Sequence, residues 1–287
     1  MKDSVSVLGV EVDAVTAPEL LVALRQAIEA GKRQQIVTVT TEMIMHSRRH
    51  PEHRRLINQA DWRLADAIGV VWGASFLSRP LRGPLKTPRL YLRALRTGFG
   101  AFLMPRTVKK VLPDTVPGSD LAVDLAGMCE EFGHGLYLLG GARGVAEAAA
   151  AELQQRFPDL KVTSDGADPD KRLEADIRRR IKQSKSQVLL VAYGAPAQEE
   201  WIRRNLPKLP KPMIAVGVGG TLDYLGGGHS LTGGGEVAKP PPSSVRGHGL
   251  EWLWRLITQP SRWRRIMSAL PVFVWAVVRA KQGSTKR

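Results

Sequence analysis

Asp66 is the residue of this chain best placed for chemistry. It follows a short apolar stretch, Trp62 to Ala65, that is typical of a buried β-strand, and it precedes Gly69, where an apolar helix is predicted to begin. Ligands of open α/β sheets bind outside the carboxyl ends of the strands, so a carboxylate at this point could act on a substrate. The alternative is that Asp66 only caps the following helix, as aspartate often does.

Three further strand ends carry glycine turns that could admit a ligand. They are Gly140-Gly141, Gly194-Ala195-Pro196 and the turn at 217–220. Glycine lets a phosphate or a sugar approach the backbone N–H groups at a helix start, although glycine also simply makes tight turns. None of these turns completes a G-x-G-x-x-G motif, and no G-x-x-x-x-G-K-[ST] motif occurs. A dinucleotide site and a P-loop are therefore not supported.

Polar side chains near these turns are candidates for the walls of a binding pocket. They are Thr38, Thr40, Gln198, Glu199 and Asp223. The two threonines end a predicted strand, Gln198 and Glu199 start a helix, and Asp223 follows a glycine turn, where it could hold a ribose or an amide. Each has a structural alternative: β-propensity and capping for the threonines, first-turn capping at the helix start, and a turn role for Asp223.

The other residue types with catalytic or metal-binding chemistry form no recognised motif. His46, His50 and His53 are spaced four and three apart, but arginines lie among them, which favours a solvated basic face over a metal site. No G-x-S-x-G elbow occurs, and Cys129 lies in mid-helix with no placed base. As the single cysteine it excludes an internal disulfide and fits a reducing compartment.

Two segments carry the formal net charge of +15. Residues 79–110 hold nine lysines and arginines and no acid, and residues 246–287 hold nine against a single glutamate. Such segments bind polyanions, either nucleic acid or the anionic face of a membrane. The tryptophans lie among Leu, Ile and Val and no nucleic-acid motif is present, so a membrane surface is favoured and a nucleic-acid partner is not expected.

The elements that must position these residues alternate between strand and helix along the chain. This pattern predicts a Rossmann-like α/β fold, a parallel sheet with helices on both faces, over residues 1–240. A stretch rich in Gly, Pro and Ser then leads to a C-terminal amphipathic helical appendage, residues 247–287. Its longest apolar run, Ala269 to Val278, is too short to cross a bilayer, which takes about 20 residues, and is typical of the membrane interface.

Residues 82–110 form a basic insertion in this pattern. Apolar residues recur among its arginines: Leu90, Tyr91, Leu92, Leu95, Phe99, Phe102, Leu103 and Met104. This composition favours a second interfacial, membrane-facing helix, and the alternative is a disordered basic loop.

Together these features resemble the WecG/TagA/CpsF family of bacterial glycosyltransferases. The matching runs are Leu138 to Glu147, Gly194 to Trp201, Gly217 to Asp223, Gly249 to Leu256 continued by Gln259 to Arg262, and Pro117 to Leu121. The resemblance covers nearly the whole chain apart from about 82–110. Three positions depart from the family pattern: Thr40 replaces Asn, Ala67 replaces Gly, and Lys239-Pro240-Pro241 replaces Arg-Ala-Pro.

The resemblance implies an inverting transferase that acts in cell-surface polysaccharide synthesis without a metal or another cofactor. It implies transfer of N-acetylmannosamine or a related hexose from a UDP-sugar donor to a polyprenyl-diphosphate-linked acceptor. The expected location is cytoplasmic, peripheral to the inner face of the cell membrane, since the N-terminus lacks the apolar core of a signal peptide. A glucosyl or glucuronosyl transferase and a catalytically impaired membrane-binding relative remain alternatives, and a homo-oligomer is left open.

The resemblance also implies roles for particular residues. Asp66 corresponds to the proposed base, which an inverting displacement needs because the acceptor hydroxyl must lose its proton as it attacks. Arg255, Arg262 and Arg265 correspond to arginines proposed to close over the active site when the tail docks on membrane. They would neutralise the charge that gathers on the UDP leaving group. Thr38 and Gln198 correspond to polar pocket residues.

Overall fold

A six-stranded parallel sheet forms the centre of the molecule. The computed structural model describes residues 3–79, 87–103, 109, 111–226 and 260–284. The sheet strands are β3 (Arg33–Val39), β4 (Trp62–Ala65), β5 (Gly135–Gly140), β6 (Lys161–Asp165), β7 (Val188–Ala192) and β8 (Met213–Gly217). Their order across the sheet is β4-β3-β8-β7-β5-β6, and every neighbouring pair is parallel. The predicted Rossmann-like α/β fold is confirmed.

A short antiparallel hairpin lies before the sheet. It consists of β1 (Ser4–Val7) and β2 (Val10–Asp13), joined by a turn in which Leu8 and Gly9 both have positive φ. Asp13 ties the hairpin to β4, because its carboxylate accepts hydrogen bonds from the backbone N–H and the guanidinium of Arg63.

Helices cover both faces of the sheet. They are α1 (Ala17–Glu29), α2 (Thr41–Arg49), α3 (Pro51–Asn58), α4 (Ile68–Ser78), α5 (Thr87–Leu103), α6 (Gly118–Glu131), α7 (Val145–Arg156), α8 (Glu174–Ser184), α9 (Ala197–Asn205), α10 (Thr221–Leu225) and α11 (Pro260–Ser284). One face packs against α1, α6, α7 and α10. The other packs against α8 and α9 beside the central strands, and against α2 to α5 with α11 beside β3 and β4.

Side chains of the central strands alternate between these two helical layers. In β8, Ile214 and Val216 pack with the α1 layer, whereas Met213 and Ala215 pack with α8 and α9. Successive strand residues point to opposite faces, so a strand covered on both sides needs apolar residues throughout. This requirement explains why the central strands are continuous apolar runs in the sequence.

The C-terminal helix α11 is packed into the body of the protein over its second half. Phe273, Val274 and Val277 are buried in the apolar cluster that also holds α4 and α5. The ammonium of Lys281 donates a hydrogen bond to the carbonyl of Leu77, in the last turn of α4. The division into a body, 1–240, and an appendage, 247–287, stays a prediction, since residues 227–259 lie outside the described part of the chain.

Within the insertion at 82–110, the structure forms the helix α5 over residues 87–103. Among the described residues, no helix is long and apolar enough to cross a membrane.

Candidate active site

The carboxyl ends of the six strands form one edge of the sheet, and Asp66 lies there directly after β4. Its backbone N–H donates to the carbonyl of Val39, at the end of β3. Its Oδ1 accepts the backbone N–H of Gly118, the first residue of α6, at 2.6 Å. Asp66 therefore does not cap α4, whose N-cap is Ala67 without a side-chain bond. The carboxylate instead faces the positive N-terminal end of α6, a favourable electrostatic arrangement.

Two threonine hydroxyls lie, like this carboxylate, around Gly118 at the start of α6. A Cβ atom built on Gly118 would lie 3.4 Å from Thr38 Oγ1, 3.6 Å from Thr221 Oγ1 and 3.7 Å from Asp66 Oδ1. Thr38 donates to the carbonyl of Gly217 at 3.3 Å, and Thr221 donates to that of Val218 at 2.7 Å. Three oxygen atoms from β3, α10 and the end of β4 thus converge on the start of α6, and the lone pairs of the two hydroxyls can accept hydrogen bonds from a substrate.

Thr40, the other predicted threonine, caps a helix. Its hydroxyl oxygen accepts the backbone N–H of Met43 at 3.2 Å, which begins α2. This is the structural alternative that the sequence left open for Thr40. A role in substrate binding stays a prediction.

Gln198 and Glu199 are buried beneath the glycine turn that follows β8. The side-chain oxygen of Gln198 accepts the N–H of Gly219 at 2.8 Å, and its amide nitrogen donates to Glu199 Oε1 at 2.7 Å. Gly217 must lack a side chain here, because a Cβ atom would lie 2.6 Å from that amide nitrogen. Gln198 therefore supports the turn through these hydrogen bonds, and its described contacts are with protein groups.

Glu199 also faces a buried histidine, which corrects one prediction from the sequence. His53 is 3% exposed, and its Nε2 lies 3.9 Å from Glu199 Oε2. Neither of these atoms has a hydrogen-bond partner within the described part of the chain. His46 and His50 lie nearer the surface and stack at 4.1 Å, so the predicted solvated face is right for these two and wrong for His53. Partial desolvation lowers the pKa of His46, and the positive charges that His50 and His53 can carry lower it further.

A cleft of about 340 Å³ opens over the carboxyl ends of β5, β7 and β8. Gly141, Gly194, Gly219 and two carboxylates, Asp168 and Asp223, contribute to its lining. Carboxylates accept hydrogen bonds from hydroxyl groups and repel phosphates. The cleft therefore suits a neutral group rich in hydroxyls better than a diphosphate.

Tyr193 forms one wall of the same cleft, and Gly140 makes room for it. Gly140 has φ of +92°, and a Cβ atom there would lie 2.7 Å from the Tyr193 ring. Burial raises the pKa of the Tyr193 phenol, and the charges of Asp165 and Asp168 raise it further. The phenol is therefore neutral, and its half-buried ring offers an apolar surface to a ligand.

The comparison with known families decides the class of this site. The model of the glycosyl transferase WecG/TagA/CpsF family matches residues 5–97 and 93–287. The chain belongs to the WecG/TagA/CpsF family of glycosyltransferases. The resemblance stated from the sequence is confirmed, and the chain is an enzyme that transfers sugars.

Curated relatives match this WecG/TagA/CpsF glycosyltransferase over most of their length. One from Bacillus spizizenii is 27% identical over 261 residues, 90% of this chain and 84% of the relative. One from Staphylococcus aureus is 26% identical over 282 residues, 97% of this chain and 93% of the relative. Both are named N-acetylglucosaminyldiphosphoundecaprenol N-acetyl-beta-D-mannosaminyltransferase.

The predicted arginines of this WecG/TagA/CpsF enzyme are only partly placed. Arg255 lies outside the described residues, and Arg262 and Arg265 lie in the first turns of α11, with side chains that are not described. No group of three or more His, Cys, Asp or Glu side chains that could hold a metal occurs in the described part of the chain.

The structure adds four residues to those that the sequence singled out. Thr221, Tyr193, Asp168 and Gly118 line or support the site, and none was predicted to do so. A signal was present for two of them. Thr221 directly follows the glycine turn at 217–220, and Gly118 belongs to the run from Pro117 to Leu121 that matches the family.

Proposed function

We propose that this glycosyltransferase moves N-acetylmannosamine, or a related hexose, from a UDP-sugar to a polyprenyl-diphosphate-linked sugar during synthesis of a cell-surface polymer. The observation that carries the proposal is the position of Asp66, held by the start of α6, where two threonine hydroxyls also lie. The names of the two relatives support the class of acceptor.

Asp66 acts as the general base of an inverting displacement. The acceptor hydroxyl attacks the anomeric carbon of the donor, its proton passes to the Asp66 carboxylate, and the bond from that carbon to the UDP oxygen breaks. The hydrogen bond from Gly118 to Oδ1 holds the carboxylate in one orientation at the edge of the sheet. Negative charge then gathers on UDP, and we assign its neutralisation to Arg255, Arg262 and Arg265.

The cleft over β5, β7 and β8 receives the nucleoside of the donor. Asp223 accepts hydrogen bonds from the ribose hydroxyls, and the Tyr193 ring packs against the base. Gly140 and Gly141 let the donor approach the backbone at the end of β5. Gln198 and Glu199 act on the donor site indirectly, by supporting the turn at Gly219. Thr38 and Thr40 lie on the acceptor side, beside Asp66.

The enzyme acts at the inner face of the cell membrane, to which residues 247–287 bind it peripherally. The excess of lysine and arginine in this segment supports attraction to anionic lipid. The packing of Phe273 and Val277 beside α4 supports a fixed attachment of the segment near the site, since α4 begins two residues after Asp66.

The test replaces Asp66 by asparagine. Asp66→Asn keeps an oxygen that accepts the Gly118 N–H but removes the base, so turnover should fall by roughly 10²–10⁴ while the KM for the donor changes little. UDP release from UDP-N-acetylmannosamine, with a short polyprenyl-diphosphate-N-acetylglucosamine analogue as acceptor, measures both constants. Asp223→Asn is the matched control and should raise the donor KM instead. Wild-type turnover of Asp66→Asn would refute the assignment.

A different donor, UDP-glucose or UDP-glucuronate, is the second candidate. Thr40 and Ala67, which flank the backbone of Asp66, are the observation that favours it, because both depart from the family pattern beside the base. A screen of UDP-sugars against the same acceptor analogue separates the candidates by which donor supports turnover. Turnover with none of them would indicate the catalytically impaired relative.

A further inference from the structure

Exposed apolar side chains concentrate on two helices. Large apolar residues that are substantially exposed in the described part of the chain are Val22, Leu92, Leu95, Leu173, Val272 and Trp275. Four of these six lie on α5 and α11, whereas Val22 and Leu173 are isolated on other elements. Single exposed apolar residues are ordinary on protein surfaces, but a group on neighbouring helices marks an interaction site.

Helix α5 has an apolar stripe on its outer side as well as on its inner side. Leu90 and Ala94 are buried in the cluster around α4. Leu92 and Leu95, which are 68% and 41% exposed, lie on the opposite side, since each residue turns the helix by about 100°. Three exposed arginines flank this outer stripe: Arg89, Arg93 and Arg96.

The second half of α11 repeats this arrangement. Phe273 and Val277 point into the same cluster around α4. Val272 and Trp275 are 47% and 44% exposed and lie on the outer side with Arg279. The Arg279 guanidinium lies 4.3 Å from the centre of the Trp275 ring, a pairing that keeps the cation beside the aromatic surface.

The two outer stripes lie on neighbouring helices. α5 and α11 contact each other, and both turn their inner sides to the cluster around α4. Their outer sides therefore face away from the same part of the core. We propose that this surface, formed by Leu92, Leu95, Val272 and Trp275 and here named the α5–α11 face, binds an anionic lipid bilayer.

Charge decides in favour of a bilayer as the occupant. Arg89, Arg93 and Arg96 lie exposed on α5, and α5 contains no acidic residue, so the α5 half of the α5–α11 face is positively charged. A second copy of the chain would bring the same positive charge opposite it, which is repulsive. Anionic headgroups complement the arginines, and leucine and tryptophan side chains insert into the boundary between headgroups and acyl chains.

The proposal rests on the proposed function and adds to it a membrane contact through α5, which lies outside residues 247–287. Trp72 of α4 donates a hydrogen bond to Thr97 of α5 at 3.2 Å, so the insertion is fastened to the helix that begins beside Asp66. A bilayer bound at the α5–α11 face would lie against the same group of helices as the candidate base. A lipid-linked acceptor could then reach the site without leaving the membrane.

The test compares two pairs of substitutions in the full chain. Leu92→Ser/Leu95→Ser removes the outer stripe of α5, and Val22→Ser/Leu173→Ser removes similarly exposed apolar residues elsewhere. Flotation with mixed phosphatidylglycerol and phosphatidylcholine vesicles measures partitioning. The α5 pair should lower the partition coefficient about tenfold or more, since each leucine loses burial in the interface, and the control pair should leave it unchanged.

A third variant tests the electrostatic part. Arg89→Gln/Arg93→Gln/Arg96→Gln should weaken binding to the anionic vesicles by about a hundredfold and leave binding to pure phosphatidylcholine unaltered. Unchanged flotation of the α5 pair would overturn the proposal, as would an equal loss in the control pair. A change of oligomeric state in light scattering with unchanged flotation would also overturn it and indicate a second copy as the occupant.

Activity on the water-soluble acceptor analogue separates this proposal from the proposed function. The α5 pair should turn over the analogue at the wild-type rate, because its substitutions lie on the outer side of the helix. Absence of turnover in the wild type would contradict the proposed function, and the flotation results would still decide the α5–α11 face.

Discussion

Replacing Gly140 by alanine should destabilise the protein through two separable effects. Gly140 has φ of +92°, a conformation that costs a residue with a Cβ atom about 1–2 kcal/mol. The new Cβ would also lie 2.7 Å from two ring atoms of Tyr193, and that ring packs edge-on against Trp201 at 6.0 Å. Overpacking of this kind costs about 1–3 kcal/mol. Together the free energy of unfolding should fall by about 2–5 kcal/mol.

Gly31→Ala isolates the first effect. Gly31 has φ of +64°, and no atom lies within 4 Å of the point that a Cβ would occupy, so only the backbone strain of about 1–2 kcal/mol should appear. Urea denaturation measures both variants, and the slope against denaturant should be unchanged while the midpoints shift. In the double variant Gly140→Ala/Tyr193→Ala the ring is absent, so the stability that the clash costs should be regained. The coupling energy between the two substitutions should therefore be about 1–3 kcal/mol.

Gly140→Ala should also weaken binding of the donor. The Tyr193 ring is half-buried and lines the cleft, so Gly140→Ala should push it towards the cleft and raise the KM for the donor. If Gly140→Ala costs no more stability than Gly31→Ala, the ring does not depend on the glycine and the described packing is refuted.

Two further predictions concern buried groups. Gln198→Ala should lower the free energy of unfolding by about 2–4 kcal/mol, because the Gly219 N–H and a buried Glu199 oxygen both lose their hydrogen-bond partner. It should also raise the donor KM more than it lowers kcat. Wild-type stability in urea would contradict this prediction. Burial raises the pKa of the Cys129 thiol from 9.0 to about 12, so the native protein should resist thiol-specific labelling at mildly alkaline pH and react only when unfolded. Between about pH 9 and pH 12 only the unfolded chain releases this proton, so the free energy of unfolding should fall as pH rises. This fall with pH should be less steep in Cys129→Ala. Rapid labelling of the folded protein would count against both expectations.

Local patterns predicted most of the fold. The strand over Trp62–Ala65 has the bounds predicted for it. Helix α1 starts and stops within two residues of Pro18 and Gly31, and proline and glycine are typical of a helix start and a helix stop. These features depend on residues close together in sequence, where side-chain period and turn chemistry act directly. The position of Asp66 at a strand end could be predicted in the same way.

Contacts between distant segments were beyond such reasoning. The Asp66 carboxylate accepts a hydrogen bond from Gly118, 52 residues away. Gly118 is brought there because Val116 donates a backbone hydrogen bond to Ala65 at the end of β4. The sequence predicted a solvated His53 because its neighbours are arginines, yet α9 covers it from 146 residues further along the chain. Periodicity reports one apolar face of a helix but not which surface that face meets.

Helix α11 illustrates the same limit. Its apolar run, Ala269 to Val278, predicted an interfacial helix, and in the structure Phe273, Val274 and Val277 of this run lie in the protein core. Among the large apolar side chains of the run that the structure describes, Val272 and Trp275 are the ones left exposed for contact with lipid. The run therefore contains two faces with different partners, which a single hydrophobic stretch in the sequence cannot distinguish.

The order of strands in the sheet has a consequence for biosynthesis. β8 is the last of the six strands to leave the ribosome, yet it lies in the middle of the sheet, between β3 and β7. Until residue 217 has emerged, both of these strands present unpaired backbone edges, which are templates for aggregation. The nascent chain thus completes its sheet by inserting one central strand. This step pairs residues about 180 positions apart in the chain, such as Arg33 with Met213. Contacts between such distant residues form slowly, so we expect the insertion of β8 to be slow.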